Sequence, residues 1–389
     1  MEALKKTLRA EAKKILTKFD APFTLAVGYD KKTIALSVTN AEDIQYFITQ
    51  KNDVVSVNFA FDALSHKGVN AVIVLETGDD SQEKVECCSD EFAEQFGGSV
   101  TAFLPSDKAA ISFLHKRGAV MLDTVGVATT GRSIEEALCS LEILLKAKLA
   151  MKYGTPQPLS KKEVNSLHLR YKRESAKNQK SLFDFETLGK CPSHSSDAFM
   201  KSLAEILVYA KKMEIEELSQ GVWRSVSIRH GDSFFITPQT KSNIFLTEND
   251  IVKVNTENGF YKIGKKPSRD IKLHQAIYKY RGDVGAVIHC HPIYSSVNAE
   301  LGVDLEVSRK MQRIFGERIE VSEYAGQGTE RLGKRAVESL KGGVAVFLSK
   351  QGLTVVGKTL VDAYWTLNAI EDESLKFFKA KEELWQRRT

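Results

Sequence analysis

The stretch GAVIHCHP at residues 285–292 reads as a buried strand that ends in two histidines. Successive strand side chains alternate between the two faces of a sheet, so His289 and His291 point to one side and Cys290 to the other. A catalytic metal site needs three protein ligands and an open position, and this pair supplies two of the ligands. The alternative is a pair of histidines that are hydrogen bonded within a core. The stretch therefore predicts a buried sheet strand with a candidate metal site at its end.

Length and composition describe a globular protein. The 389 residues predict two domains, and 42% hydrophobic with 27% charged residues is ordinary for a soluble chain. The net charge of +5 is too small to indicate a nucleic-acid partner. The five cysteines form no Cys-x-x-Cys pair, and no stretch reaches the ~18 apolar residues of a membrane span. We expect a cytoplasmic protein with neither nucleic acid nor a membrane as a partner.

The two halves of the chain echo each other. VNAVIVLE at 69–76 matches VGAVIHCH at 284–291, and a block that begins at Ala119 matches one that begins at Val344, in the same order. Each copy reads as a strand, a glycine-marked turn, a second strand and a helix. The repeated order predicts a duplicated αβ unit.

The two copies differ where chemistry would lie. The histidine pair of the second copy corresponds to Val74 and Glu76 of the first, which has no imidazoles at these positions. A polar stretch with GTPQP and CPSHSS separates the copies and reads as a linker with one charged helix. We expect an αβ domain over 1–152, a linker over 153–196 and a second domain, the seat of any chemistry, over 197–389.

From His194 onward the chain resembles the class II aldolase/adducin family. The similarity lies in ordered blocks: SVSIRHGDSFFITP, KPSRDIKLHQAIYKYRGDVGAVIHCHP, EYAGQGTERLG and QGLTVVGKTLVDAYW. The resemblance implies an α/β fold, a three-layer αβα sandwich with a mainly antiparallel central sheet. The amino half would then be a degenerate second copy of this domain.

The resemblance also implies a metal site. In the family a divalent metal, usually zinc, is held by the His-x-His pair and by a histidine just before the glycine that corresponds to Gly352. His289 and His291 match two of these ligands, and Gln351 stands at the third position. A glutamine oxygen is a neutral, harder donor that suits magnesium or manganese better than zinc. We expect zinc, with manganese or magnesium as alternatives.

The family resemblance assigns a proton-transfer role to Asp270. Aldolases of the family carry a glutamate at this position as general acid/base, and related epimerases carry an aspartate. From sequence alone, Asp270 is equally suited to be the N-cap of the helix IKLHQAIYKY. His274, one helical turn further on, is an alternative third metal ligand, and His230 is a poorer one.

Three residue pairs occupy the positions with which the family binds phosphate. They are Arg224–Ser225, Gln239–Thr240 and Ser268–Arg269. The two arginines replace small residues. Their guanidinium groups would grip phosphate or carboxylate in a bidentate manner, or they would fill the pocket or pair with acidic residues.

Two functions follow from the resemblance. The first is a metal-dependent lyase or isomerase-like enzyme that acts on a sugar phosphate or sugar acid through a metal-stabilised enediolate, with aldol cleavage favoured. The alternative is a non-catalytic, adducin-like scaffold or interaction protein with a residual metal site. Family members assemble into rings, so we expect a homo-oligomer.

Overall fold

The computed structural model describes residues 2–29, 32–48, 53–78, 83–177, 198–219, 223–238, 246–262, 264 and 266–386. Contacts divide the chain into two units. Unit 1 comprises Met1–Cys87, Glu91–Lys148 and Pro158–Phe183, and unit 2 comprises Cys88–Asp90, Leu149–Gln157 and Asp184–Thr389. No helix among the described residues has both the length and the apolar character that crossing a bilayer requires.

Both halves of the chain contain helices and strands. Up to residue 177 they are α1 (Glu2–Phe19), β1 (Phe23–Tyr29), β2 (Lys32–Val38), β3 (Ile44–Phe47), α2 (Val55–Leu64), β4 (Ala71–Glu76), β5 (Lys84–Val85), α3 (Asp90–Phe96), β6 (Val100–Phe103), α4 (Lys108–Arg117), β7 (Ala119–Leu122), β8 (Gly126–Gly131), α5 (Ile134–Tyr153) and α6 (Lys161–Lys177). From residue 198 they are α7 (Ala198–Ile215), β9 (Ser225–His230), β10 (Ser233–Ile236), β11 (Val252–Asn255), α8 (Ile271–Tyr280), β12 (Ala286–Cys290), α9 (Ile293–Leu301), β13 (Leu305–Glu306), α10 (Gln312–Phe315), β14 (Arg318–Ile319), α11 (Glu330–Leu340), β15 (Ala345–Phe347), β16 (Leu353–Gly357) and α12 (Leu360–Gln386). The predicted α/β class is confirmed.

The sheet of unit 2 has six strands in the order β11-β10-β9-β12-β16-β15, and its neighbouring strands pair antiparallel. The histidine strand β12 lies between β9 and β16. In this register Ser225 of β9 lies opposite His289, and Thr354 of β16 lies opposite it on the other edge. The short strands β13 and β14 form a separate two-stranded sheet.

Helices cover both faces of the six-stranded sheet. Along β12, Ala286, Ile288 and Cys290 belong to one buried apolar cluster, whose helical members come from α7, α9, α10 and α12. Val287 belongs to another cluster, to which α8 and α11 contribute. The strand alternation predicted from sequence thus separates two cores, and His289 lies on the α8/α11 face together with Val287.

Unit 1 has an eight-stranded sheet in the order β3-β2-β1-β4-β8-β7-β6-β5. Its pairings are antiparallel except between β6 and β7, which run parallel. The first six strands in this list follow the strand order of unit 2, with β4 in the place of β12. The register agrees as well, because Ala71 pairs with Gly131 in unit 1 and Ala286 pairs with Gly357 in unit 2.

Candidate active site

Two buried imidazoles form the centre of the candidate site. His289 and His291 are only 1% and 2% exposed. Their ring centroids lie 5.2 Å apart, and the rings meet edge to face at 72°. The prediction that the pair ends a buried strand is confirmed, since His289 lies within β12 and His291 follows its last residue.

Hydrogen bonds on β16 fix the orientation of His289. Its Nδ1 lies 3.1 Å from the carbonyl oxygen of Leu353 and 3.0 Å from the hydroxyl of Thr354. A carbonyl oxygen only accepts, so Nδ1 carries a proton, and Nε2 is the nitrogen left for a metal. This is the tautomer that metal-ligating histidines adopt when a backbone carbonyl orients them.

Gln351 brings a buried amide to the same end of the sheet. Its Nε2 donates to the carbonyl oxygen of Ala325 over 2.5 Å, and its Oε1 has no hydrogen-bond partner among the described residues. The next residue, Gly352, adjoins the histidines: a Cβ built on it would lie 3.1 Å from the His291 ring. Gly352 also has a φ of +79°, which favours glycine.

The side-chain atoms at this end of the sheet suit a divalent cation as ligands. Within the described ranges no group of three or more His, Cys, Asp or Glu side chains is arranged to hold an ion. His289, His291 and the Oε1 of Gln351 offer two imidazoles and one amide oxygen, all of which divalent ions accept. A buried oxygen without a hydrogen bond costs free energy that a bound cation would recover.

Asp270 lies beside this group of residues at the start of α8. Its Oδ2 accepts hydrogen bonds from Ser225 at 2.9 Å and from Ser268 at 3.1 Å. Its Oδ1 is buried and has no hydrogen-bond partner in the described part of the chain. Burial alone would raise the pKa of this carboxyl, but the interaction with His289 and the bond from Ser225 outweigh burial and lower the pKa. Asp270 is therefore an anion with one oxygen held in place.

The interpretation of Asp270 as an N-cap is only partly correct. Asp270 occupies the N-cap position of α8, but its side chain makes no capping hydrogen bond. The carboxylate bonds to serine hydroxyls instead, one of them on β9. The sequence of α8 cannot reveal this choice, because Ser225 reaches Asp270 only through tertiary packing.

His274 is fully engaged within the protein. Its Nε2 lies 2.8 Å from the Ser225 hydroxyl, and its Nδ1 lies 2.6 Å from that of Ser227. Burial lowers the pKa of His274 to about 3, so the ring is neutral. With both ring nitrogens hydrogen bonded to serines, His274 has no nitrogen left for a metal, which argues against it as the third ligand.

The structure does not bring all predicted substrate-binding residues together. Ser225 and Ser268 adjoin Asp270, and Arg269 directly precedes it. Arg224 lies elsewhere: its guanidinium is buried and pairs with Glu214 of α7 at 2.7 Å. Strand alternation explains this position, because the residue before Ser225 faces the opposite side of the sheet. The predicted residues Gln239 and Thr240 lie outside the described residues.

Three further polar residues line this face of the sheet and were not predicted from the sequence. They are Ser227, Tyr278 and Thr354, each buried. Two periodic signals point to Ser227 and Tyr278. Ser225 and Ser227 are two apart on a strand, and His274 and Tyr278 are four apart on a helix, so each pair shares a face.

The chain is similar to known proteins over its carboxyl half. The family model described as "Class II Aldolase and Adducin N-terminal domain" matches residues 204–374. The 5-methylthioribulose-1-phosphate/5-deoxyribulose-1-phosphate aldolase of Rhodospirillum rubrum is 31% identical over 171 residues, which are 44% of this chain and 77% of that protein. The L-fuculose phosphate aldolase of Methanocaldococcus jannaschii is 25% identical over 170 residues, 44% of this chain and 92% of that protein.

The chain is also similar to a solved structure. An L-fuculose 1-phosphate aldolase is 28% identical, with a TM-score of 0.46 over 49% of this chain and 90% of that chain.

Proposed function

The chain belongs to the class II aldolase/adducin family, and on that premise we propose that it is an aldolase-like lyase that cleaves a sugar phosphate. The observation that carries the proposal is the buried group formed by His289, His291, Gln351 and Asp270. The similarity to named sugar-phosphate aldolases supports the substrate class. A sugar acid is the alternative substrate, and epimerisation, decarboxylation and dehydration are the alternative reactions.

A divalent metal would be held by His289, His291 and the Oε1 of Gln351. When bound, such an ion supplies Lewis-acid stabilisation of developing negative charge on the substrate. We propose zinc, which imidazole ligands suit. Manganese and magnesium are the alternatives, because the amide oxygen is a harder donor than an imidazole. His289 is ready for this role, since the Leu353 carbonyl fixes its tautomer.

Asp270 would transfer the proton. Aldol cleavage of a ketose 1-phosphate breaks the C3–C4 bond while a base takes the proton of the C4 hydroxyl, whose oxygen becomes the aldehyde carbonyl. The electron pair of the broken bond passes into the enediolate of the other fragment, which is then protonated at C3 to give dihydroxyacetone phosphate. Asp270 is ionised, and Ser225 and Ser268 hold its Oδ2, so its Oδ1 would accept that proton. Burial of the carboxylate keeps competing water away from the transfer.

The test is turnover by the purified protein. Ketose 1-phosphates, including L-fuculose 1-phosphate and 5-deoxyribulose 1-phosphate, are offered with zinc, manganese or magnesium. Release of dihydroxyacetone phosphate is followed with a coupled dehydrogenase. Asp270→Asn should lower kcat by ~10²–10⁴-fold, the usual contribution of positioned proton transfer. Asp283→Asn is the matched control, since Asp283 is exposed and pairs with Arg281.

The scaffold alternative has two observations in its favour. Gln351 stands where the family has a histidine, and Arg224 of the phosphate positions pairs with Glu214 instead of facing the histidines. Metal uptake without turnover of any sugar phosphate or sugar acid would favour the scaffold.

We also propose that unit 1 is a degenerate copy of unit 2. The shared order of six strands and the shared register support this proposal. In unit 1, Glu76 accepts a hydrogen bond from Ser56 at 2.7 Å, and Thr24 lies 2.9 Å from Ser56. Hydroxyl groups thus satisfy the carboxylate that replaces the second histidine.

The organisation of the whole protein completes the proposal. The domain bounds 1–152, 153–196 and 197–389, a homo-oligomeric assembly and a cytoplasmic location stay predictions. Each has a direct measurement: limited proteolysis for the bounds, sedimentation for the assembly and cell fractionation for the location.

A further inference from the structure

A chain of buried hydrogen bonds runs from Asp270 away from the histidine pair. Ser225 Oγ lies 2.9 Å from Asp270 Oδ2 and 2.8 Å from His274 Nε2. Ser227 Oγ lies 2.6 Å from His274 Nδ1 and 2.8 Å from the hydroxyl of Tyr278. All five side chains are at most 2% exposed. Two serines of β9 thus alternate with Asp270, the N-cap residue of α8, and with His274 and Tyr278 of α8 along one continuous series of hydrogen bonds.

The donors and acceptors of these groups allow only one direction of donation along this series of hydrogen bonds. The Asp270 carboxylate only accepts, so Ser225 donates its one hydroxyl proton to it. Ser225 must then accept from His274, whose Nε2 carries the proton. A neutral ring has one N–H, so His274 Nδ1 accepts from Ser227, and Ser227 accepts from Tyr278. Every proton therefore points towards Asp270.

A series of hydrogen bonds that all donate towards Asp270 holds its carboxylate more firmly than a single serine would. Hydrogen bonds in series polarise one another, so donation from His274 strengthens the bond that Ser225 gives to Asp270. This bond and the one from Ser268 fix Oδ2 and leave Oδ1 as the oxygen for chemistry. The Ser225 hydroxyl alone would be able to rotate towards other acceptors.

We infer that His274 is a positioning residue, which acts through Ser225 to hold the Asp270 carboxylate in the orientation for proton transfer. The inference rests on the proposed function for its effect on turnover. The tautomer of His274 is independent of turnover and is tested separately.

Two substitutions test the two ring nitrogens of His274 separately. In His274→Gln the side-chain amide nitrogen takes the place of Nε2 and still donates to Ser225. In His274→Asn the shorter amide takes the place of Nδ1 and loses the bond to Ser225. We expect Asn to lower kcat by about tenfold or more with little change in KM, and Gln to stay within about threefold of wild type, since positioned proton transfer contributes ~10²–10⁴-fold in all. Gln275→Met, on the same helix but outside this hydrogen-bond chain, is the control and should keep nearly full kcat, since Gln275 bonds to the backbone carbonyls of Thr256 and Glu257.

Nitrogen NMR of histidine-labelled, metal-free protein gives the second readout. The His274 signal, assigned by its absence in His274→Gln, should show the neutral Nε2–H tautomer across the neutral pH range. An Nδ1–H tautomer or a doubly protonated ring overturns the inference, and so does an unchanged kcat in His274→Asn. Equal losses of thermal stability in both variants, with unchanged kcat in the folded fraction, would show a purely structural role. A wild-type protein that cleaves no substrate refutes the proposed function, while the NMR result still decides the direction of the chain.

Discussion

Replacing Gln351 by methionine should separate its role as a ligand from its role in packing. Methionine has a similar volume but neither the amide oxygen nor the amide N–H. Loss of the bond leaves the buried Ala325 carbonyl without its donor and costs about 1–3 kcal/mol, and removal of the unsatisfied Oε1 recovers about 1–3 kcal/mol. The metal-free variant should therefore unfold within about 2 kcal/mol of wild type.

The metal-bound protein should respond differently to the same change. A ligand at a concentration of 100 times its Kd stabilises the folded state by about 2.7 kcal/mol. Loss of an outer-shell partner alone weakens metal binding by ~10–100-fold, so loss of a ligand should weaken it by about 100-fold. At the same metal concentration the stabilisation of Gln351→Met should then fall to about 0.4 kcal/mol.

The assay compares denaturant unfolding with chelator and with zinc or manganese. Gln275→Met is the matched control, because Gln275 also donates its amide to backbone carbonyls, of Thr256 at 2.8 Å and of Glu257 at 3.2 Å, but lies away from the histidines. It should keep the full stabilisation by metal. Gln351→Ala should weaken binding, and Gln351→His should tighten zinc binding. If Gln351→Met keeps the full stabilisation, position 351 does not bind the metal.

Three further predictions test the site. His289→Ala and His291→Ala should each abolish uptake of the roughly one metal per chain that a single catalytic site holds, as measured by elemental analysis. Gly352→Ala combines a φ of +79° with a backbone oxygen 2.5 Å from the new Cβ, and it should lower the free energy of unfolding by about 3 kcal/mol or more. Gly302→Ala, with a φ of +67° and no atom within 4 Å, should lower it by about 1–2 kcal/mol, as measured by urea unfolding. Because the pKa of His274 is lowered from 6.5 to about 3, the unfolded chain binds a proton in this range that the folded chain does not. Stability should fall as pH drops through this window, by at most about 1.4 kcal/mol per pH unit, and His274→Gln should flatten the slope; an unchanged slope would show that His274 is not the buried neutral base.

Features that depend on strand alternation were predictable from the sequence. The apolar run before His289 and the two-residue spacing to His291 specify a buried strand with both imidazoles on one face. The glycine-marked turn of the second copy indicates two consecutive strands, which are β15 and β16. These signals are local, so tertiary packing does not override them.

Features that depend on which elements pack together were not predictable. Arg224 was a reasonable anion-binding residue, but its partner Glu214 on α7 lies on the other face of the sheet. His274 was a reasonable ligand until β9 placed a serine against each of its nitrogens. A sequence gives the type of each polar residue. The packing of α8 against β9 decides which hydrogen bonds those residues make.

Because β12 lies in the interior of its sheet, hydrogen–deuterium exchange can measure the opening free energy of each half of the protein. The strand is paired on both edges, with β9 and β16, so its amides are released only when the six-stranded sheet opens. The slowest hydrogen–deuterium exchange there reports the opening free energy of unit 2, and exchange in β4, paired with β1 and β8, reports that of unit 1. A cation or sugar phosphate that binds at His289 should slow exchange in β12 and leave β4 unchanged, so one labelling experiment on the intact chain would locate the ligand and give its binding energy.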